Sequence, residues 1–549
     1  ASEEQKQNVE DDRIRFQAEI LAHPDVIRLR ETTPNGSVIR YTTRTVLEAE
    51  QHVLRAAAEL AAATGHDVGD AYRTQIEGDA KFTTMTAEQL HAFRHVTAAS
   101  GLALIDGQAG AGKSFTIAAI REAYQAAGYR VIGLAPTNAV AEDMRDDGFG
   151  RAGTIHAELF ALANGRAAWT RDTAVIVDEA AMVETTIMAL VTAWAAEAGA
   201  KLILAGDDRQ LSSINRGGMF AVLKERYGAA TLSEVKRQYK IDERRASEMM
   251  AEGNFHDALG IYEQKGAIHW TRTQPEARAL LVEQWAQDTA AAPNKSRFVF
   301  AYSNDAVRDL NAALRAVRKN RGELGPDRLF DTAHGPLPFA AGDRIQFTAA
   351  DKPTGIINGR AGTVEAIDGM HLAVRLDGRT PKTIHVDTAA FTEFRHGYAG
   401  TIYAGQGRTL QQTYLYHSEH WRAAPSYVAL TRHKDRTDLF VARNTAATIT
   451  QLARQMARTD ERRAASMFEL EQTIEPVPAL TAAALSAKFA PVLARRERAR
   501  QPVAEPVEQI TARAVGDIYG RYSPTVSDTG GDPSIRGGDR HRRHSRKAR

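Results

Sequence analysis

The sequence predicts an α/β protein with two parallel-sheet domains, a small β-barrel inserted in the second, a helical N-terminal region and a disordered C-terminal tail. Three observations predict it. Short apolar runs at Leu102–Asp106, Val131–Ala135, Val175–Asp178 and Leu202–Gly206 each end in a Gly- or Asp-containing turn and give way to a helical pattern. That alternation is expected of a parallel sheet covered by helices. A second series recurs at Phe298–Tyr302, Thr413–Tyr416 and Asp438–Val441. Between its members, GDRIQF, IINGRAGTVEAIDG and LAVRLDG alternate apolar with polar residues around Gly-containing turns, the pattern of short antiparallel strands.

Taken in order, residues 1–80 read as a helical accessory region, since Thr45–Ala63 is rich in strong helix formers. Residues 81–231 form the first sheet domain. The second is split into 232–330 and 396–445, with the barrel at 331–395 between its parts. Residues 446–500 read as a charged helical extension. Residues 501–549, rich in Pro, Gly and Arg, read as a disordered basic tail. Seven Arg and Lys against one Asp from Ile535 to Arg549 suit a solvated end, a nonspecific DNA contact or a transfer signal.

Composition narrows the class of function. The 549 residues are 43% hydrophobic and 25% charged, as in globular proteins with sizeable cores. Net charge is +2, from 70 basic and 68 acidic residues, so any polyanion-binding channel has to be a local arrangement. There is no cysteine, which excludes disulfides and thiolate metal sites. The opening ASEEQKQNVEDDR is polar, unlike a signal peptide. The apolar stretch Ala189–Ala205 is interrupted by Glu197 and Lys201 and is too short to span a bilayer. A cytoplasmic protein without membrane insertion is expected. Because the chain begins with Ala, it reads as a processed protein or a fragment of a longer one.

The chemistry is concentrated in two motifs. GQAGAGKS, Gly107–Ser114, matches G-x-x-x-x-G-K-[ST], with the apolar LALID before it and the helical FTIAAIREAYQAAG after it. Gly107, Gly110 and Gly112 let backbone N–H groups close around phosphate. Lys113 is placed to bridge the β- and γ-phosphates of ATP and Ser114 to hold Mg²⁺. VIVDE, Val175–Glu179, delivers two carboxylates to the sheet's carboxyl edge, where open α/β folds bind ligands. Asp178 is placed on Mg²⁺ and Glu179 on the attacking water. An isolated acidic pair after a strand is often only a solvated turn; beside a complete phosphate loop it reads as catalytic. The pairing implies a nucleotide hydrolase.

Seven further strings, in order, resemble the motifs of superfamily 1 helicases, specifically the RecD-like branch with two RecA-like domains. MTAEQ resembles the adenine-reading motif, which implies that Gln89 contacts the base. APTNAVA and GTIHAEL resemble motifs that touch single-stranded DNA, carried here by Pro136, Thr137, Asn138, Thr154 and His156. GDDRQL resembles the motif whose glutamine, Gln210, senses the γ-phosphate. LSEVKRQ implies that Arg237 reaches the same phosphate from the second domain. GYAGTIYAGQGRT resembles the motif joining DNA grip to nucleotide, with Thr401 and Gln406 on the DNA. YVALTR resembles the final motif, with Arg432 as an arginine finger. Many family members carry His-Lys-Ser before the Gln-Gly of the DNA-grip motif; this chain has Tyr403-Ala404-Gly405, which removes two side chains able to contact phosphate.

Within that branch, YTTRTVLEAEQHVL, GNFHDALGIYEQKGAIHW and GYAGTIYAGQG resemble the helicase part of Ti-type conjugative relaxase–helicases (TraA/MobA-like). The resemblance implies an ATP- and Mg²⁺-dependent helicase moving 5′ to 3′ on single-stranded DNA and duplex junctions, with an SH3-like barrel in its second domain. It also implies relaxosome and conjugative secretion components as partners, and a nicking domain that uses tyrosine and a histidine-bound metal. HSEH (417–420) and HRRH (541–544) have the wrong context for that metal, so the nicking domain is expected to lie outside this chain. Two other readings stay open: a RecD-like repair and recombination helicase, and a vestigial helicase serving as a single-strand-binding module.

Overall fold

The structure, a computed structural model, describes residues 15–33, 36–210, 218–351, 353–378, 381–405, 409–459, 463–471 and 477–492. These belong to one compact unit, residues 1–493. The 501–549 tail and Gln406 lie outside the described residues.

After a helix at residues 15–21 comes an antiparallel hairpin, β1 (Val26–Thr33) and β2 (Gly36–Thr43), where the sequence reading had only helix. Ile27, Leu29 and Glu31 face inward while Arg28 and Arg30 face water; so few apolar residues leave the period-two signal weak. The helix Arg44–Ala62 follows as expected and buries Leu47, Val53, Ala57 and Leu60. It packs on the helix Thr185–Ala198 of the first sheet domain.

The first sheet contains β3 (Leu102–Gly107), β4 (Arg130–Ala135), β5 (Ala152–Thr154), β6 (Thr173–Val177), β7 (Lys201–Gly206) and β8 (Ala230–Leu232). Their spatial order is β5-β4-β6-β7-β3-β8, every pair parallel. Alternate residues enter two separate cores: Leu104, Val175 and Leu204 on one face, Ala103, Ile105 and Ile203 on the other. Burial on both faces makes these strands read as unbroken apolar runs.

The second sheet begins with β9 (Ile268–Thr271) and β10 (Arg297–Phe300). An all-β insertion interrupts it: β11 (Arg328–Thr332), β12 (Gly335–Phe339), β13 (Arg344–Phe347), β14 (Ala361–Asp368), β15 (His371–Leu376), β16 (Thr383–Asp387) and β17 (Phe394–His396). The hairpin β11–β12 and the antiparallel sheet β16-β15-β14-β13-β17 enclose one core of Phe330, Phe339, Ile345, Phe347, Val364 and Val374. The chain then returns through β18 (Ala399–Gly400), β19 (Leu410–Tyr416) and β20 (His433–Ala442), completing a parallel sheet of order β18-β10-β19-β20-β9.

Beyond it, the helix Ile449–Met456 packs into the second domain's core. The segment after it returns to the start of the molecule. β21 (Glu469–Leu470) adds to β1, and the helix Ala482–Lys488 lies on Thr185–Ala198. Among the described residues no helix is long and apolar enough to cross a membrane.

Candidate active site

The phosphate loop leaves the carboxyl end of β3 and turns into the helix Lys113–Ala126. Gly110 and Gly112 hold φ of +89° and +83°, where side chains are strained. A Cβ on Gly110 would lie 2.6 Å from the Cβ of Arg237, and one on Gly112 would meet Gln89 Nε2. Both glycines are thus required by conformation and by close approach. Gly107 packs against the stem of Lys113.

Lys113 Nζ stands 2.8 Å from Asp178 Oδ1 and 3.4 Å from Glu179 Oε1. Asp178 follows β6 and is 7% exposed. Glu179 has φ 55° and ψ 41°, left-handed for a non-glycine residue, and its N–H donates to Asp178 Oδ1 at 2.8 Å. Ser114 sits on the first turn of the loop's helix, next to Lys113. Gln210 follows β7: its Nε2 donates to Asp207 Oδ2 at 2.9 Å, and its Oε1 accepts from Arg432 Nη2 at 2.7 Å. Arg237 Nη1 donates to the Thr431 carbonyl at 2.9 Å. The Lys236 N–H donates to the Gly110 carbonyl at 2.9 Å. The structure therefore brings Lys113, Asp178, Glu179, Gln210, Arg237 and Arg432 to one cleft between the two parallel sheets.

The electrostatics of that cleft are those of an anion site. Burial works against the charge on Lys113, but Asp178 and Glu179 more than offset it and raise its pKa. Burial raises Asp178 above the usual carboxylate range. For Glu179 burial pushes upward too, yet Lys113 and Arg432 pull it below. Burial and the like charge of Arg432 bring Arg237 down to about 9, and burial also lowers Arg432. Two buried guanidiniums side by side favour a ligand of high negative charge.

Gln89 lies beside the phosphate loop, at the start of the helix Ala87–Val96. Its Oε1 accepts from the Thr86 N–H at 3.0 Å in a capping box, and its Nε2 donates to the Ala111 carbonyl at 3.1 Å. Its amide nitrogen thus braces the phosphate loop while its oxygen closes the cap of its own helix. Its neighbour Glu88 accepts from the Ser233 and Glu234 N–H groups, fixing the start of the segment that carries Arg237.

The residues expected on DNA cluster apart from the nucleotide residues. Pro136, Thr137 and Asn138 follow β4, while Thr154 ends the neighbouring β5. Thr137 caps the helix Asn138–Asp146, and Thr154 caps Ile155–Ala163, whose first turn carries His156. Thr401 follows β18 in the second domain. The sheet order places β5 and β4 at one side and β3 and β7 at the other, so the two sets of residues occupy different stretches of the same edge.

Six participants escaped the sequence reading. Asp207, the first carboxylate of GDD, is fully buried and anchors Gln210. Its position after an apolar strand was the available signal, the same one that marks Asp178. Asp106, Asp207 and Asp208 gather their carboxylates within 4.8 Å. Arg209 and Lys224 neutralise that cluster at 2.5–3.3 Å. Tyr427, the first residue of the YVALTR string, lies on the helix Ala423–Leu430 with its hydroxyl in the cleft.

Comparison with known proteins places this geometry. The AAA domain family matches residues 84–273. Conjugal transfer protein TraA of Agrobacterium fabrum is 31% identical over 427 residues, 77% of this chain and 38% of that protein. ATP-dependent RecD2 DNA helicase of Deinococcus radiodurans is 26% identical over 61% of this chain and 46% of its own. Pif1 helicase from Candida albicans superposes with a TM-score of 0.45 at 17% identity, over 68% of this chain and 99% of that one. The chain thus spans less than half the length of the TraA protein and of the RecD2 helicase. The similarity to TraA and RecD-like proteins first read in short motifs extends over most of the sequence.

Proposed function

We propose, from that similarity and from the cleft, that this chain is the ATP-hydrolysing DNA helicase part of a conjugative protein resembling TraA. One observation carries the reading: Arg237 and Arg432 of the second domain are buried against Lys113, Asp178 and Glu179 of the first. A cleft built in this way favours a triphosphate between the two sheets.

ATP entry exchanges the ion pairs of Lys113 for phosphate oxygens, freeing both carboxylates. Glu179 then orients and polarises the attacking water. Arg237 and Arg432 stabilise charge that develops in the transition state, a contribution of ~10³–10⁵ in rate for an arginine finger. Gln210, bonded to Arg432, reports the γ-phosphate to the second domain. The Ser114 hydroxyl and the Asp178 carboxylate are oxygen donors suited to a hard cation, so these two would hold Mg²⁺, which when bound neutralises phosphate charge. Loss of the γ-phosphate removes the closing interaction, and repeated closure ratchets the two domains along a strand. Thr137, Asn138, Thr154 and His156 grip that strand on one domain, and Thr401 and Gln406 on the other. Contacts to phosphates and stacked bases give little sequence preference.

By resemblance the motor runs 5′ to 3′, splits duplex junctions and works in the cytoplasm with relaxosome and secretion components. ATP hydrolysis with and without single-stranded DNA, in the wild type and in Lys113→Ala, tests the reading. Strong stimulation abolished by the substitution is the expected result. DNA binding without stimulated turnover would replace the motor with a strand-binding module.

A further inference from the structure

Tyr427 is 2% exposed, and its hydroxyl occupies a junction that the reaction as described leaves unused. It accepts the N–H of Ala109, in the phosphate loop, at 3.2 Å, and donates to Asp207 Oδ2 at 3.3 Å. Asp207 Oδ2 in turn accepts from Gln210, whose Oε1 accepts from Arg432. A continuous chain of hydrogen bonds therefore joins the phosphate loop to the arginine finger, and it leaves and re-enters the second domain within five residues of sequence. The methyl of Ala109 belongs to the second domain's apolar core, together with Tyr427, Leu430 and Ile402. The tip of the phosphate loop is thus held by the second domain through both its side chain and its amide.

The same helix faces the DNA side. Ala423–Leu430 packs against the turn Ile402–Gly405, which directly follows Thr401. A shift of that turn moves the helix. The helix ends on Thr431, whose carbonyl holds Arg237, and on Arg432. Coupling between sites can be carried by packed side chains, hydrogen bonds and rigid elements that both sites bias, and this helix touches both.

Resting on the helicase reading, we propose that Tyr427 is a positioning residue whose hydroxyl couples the DNA-grip turn to the phosphate loop, setting how far DNA accelerates ATP turnover. Tyr427→Phe keeps the buried ring and removes only the two bonds. Coupling free energies between sites typically correspond to roughly 5- to 150-fold effects, so losing this link lowers the ratio of turnover with single-stranded DNA to turnover without it by about fivefold or more. Both turnover numbers are read at saturating ATP, so a change in ATP affinity from loosening the loop does not enter the ratio. A misfolded fraction scales both turnover numbers equally and cancels in the ratio, so a merely structural role leaves the ratio unmoved.

The experiment measures that ratio at saturating ATP for wild type and Tyr427→Phe. A reduced ratio supports the proposal. An unchanged ratio in a variant whose wild type is stimulated overturns the proposal and leaves the helicase reading standing. Absence of stimulation in the wild type overturns both. Should Tyr427→Phe fail to fold, amide hydrogen exchange of wild-type Ala109 without nucleotide decides: protection supports the bond to Tyr427, and rapid exchange overturns it.

Discussion

Glu179 holds a left-handed backbone, φ 55°, found at no other non-glycine position among the described residues. Such a conformation costs on the order of 1–3 kcal/mol and persists where the surroundings over-determine it. Here the Asp178 carboxylate accepts its N–H and Lys113 draws its side chain inward. Glu179→Gln keeps the shape and removes the base. Turnover is expected to fall by about 10²–10⁴, the usual share of general base catalysis, with ATP affinity nearly unchanged; a variant as fast as wild type would remove Glu179 from the mechanism. Gly110→Ala forces a Cβ onto Arg237 at a φ that suits glycine and is expected to weaken nucleotide binding by about tenfold or more, as read by titration with ADP. Lys201 shows a residue whose meaning is hidden in sequence. It interrupts an apolar stretch, yet it is fully buried, with Nζ donating to the Ser100 carbonyl at 2.7 Å. Burial lowers its pKa to about 7, against an ordinary lysine value near ~10.4. Across that window the unfolded chain holds more protons than the folded protein, so stability rises with pH there, and the full deficit is present below pH 7. Between pH 7 and 9.5 the melting temperature of the wild type is expected to rise relative to that of Lys201→Met, and parallel curves would show that Lys201 does not titrate in the window.

Elements with strong local signals were readable, and those defined by distant partners were not. The helix Arg44–Ala62 and the strands β3, β4, β6 and β7 stand where composition and apolar runs place them. The hairpin β1–β2 was missed because its strands hold few apolar residues, although Asn35-Gly36 at their junction is a hairpin-turn signal; its third strand, β21, lies more than 400 residues away. The segment 446–500 includes the short α-helices Ile449–Met456 and Ala482–Lys488, and the stretch between them works as a clasp. Glu50, on the first helix and 2% exposed, accepts the N–H groups of Ala465 and Ser466 at 2.9 and 2.7 Å. Glu31 and Glu471 pair with Arg463 and Arg30 across the same junction. Glu50→Ala leaves two amides without their acceptor, an expected cost of ~1–3 kcal/mol. Limited proteolysis is expected to cut the variant earlier than wild type between β20 and the helix Ala482–Lys488; an unaltered digestion pattern would mean the clasp is held by its other contacts.

At the scale of the whole molecule, the order of motifs announced two sheet domains around one nucleotide, while the contacts that close them had no sequence signature. Gly110 against Arg237, Glu88 on Ser233 and Gln210 on Arg432 each join residues that only the folded chain brings together. The inserted β domain makes a further such contact. Arg360, in the NGRAG turn before β14, reaches Glu142 Oε2 at 3.2 Å, with side chains 15% and 32% exposed. Glu142 lies one helical turn beyond Asn138 on the helix capped by Thr137. The insertion is thereby tied to the helix that begins with Asn138, one of the residues proposed to contact DNA. Under the proposed function, a strand held by both domains would have this contact beside it, and its opening would be a step in letting the strand go. Partly exposed ion pairs contribute ~0.2–1 kcal/mol, so Glu142→Ala is expected to raise the dissociation rate of single-stranded DNA by roughly two- to fivefold. ATP turnover without DNA is expected to stay at the wild-type value, since Glu142 is remote from the nucleotide residues. Stopped-flow release of a labelled strand into an excess of unlabelled competitor measures the rate, and an unchanged rate would confine Arg360 and Glu142 to holding the insertion in place.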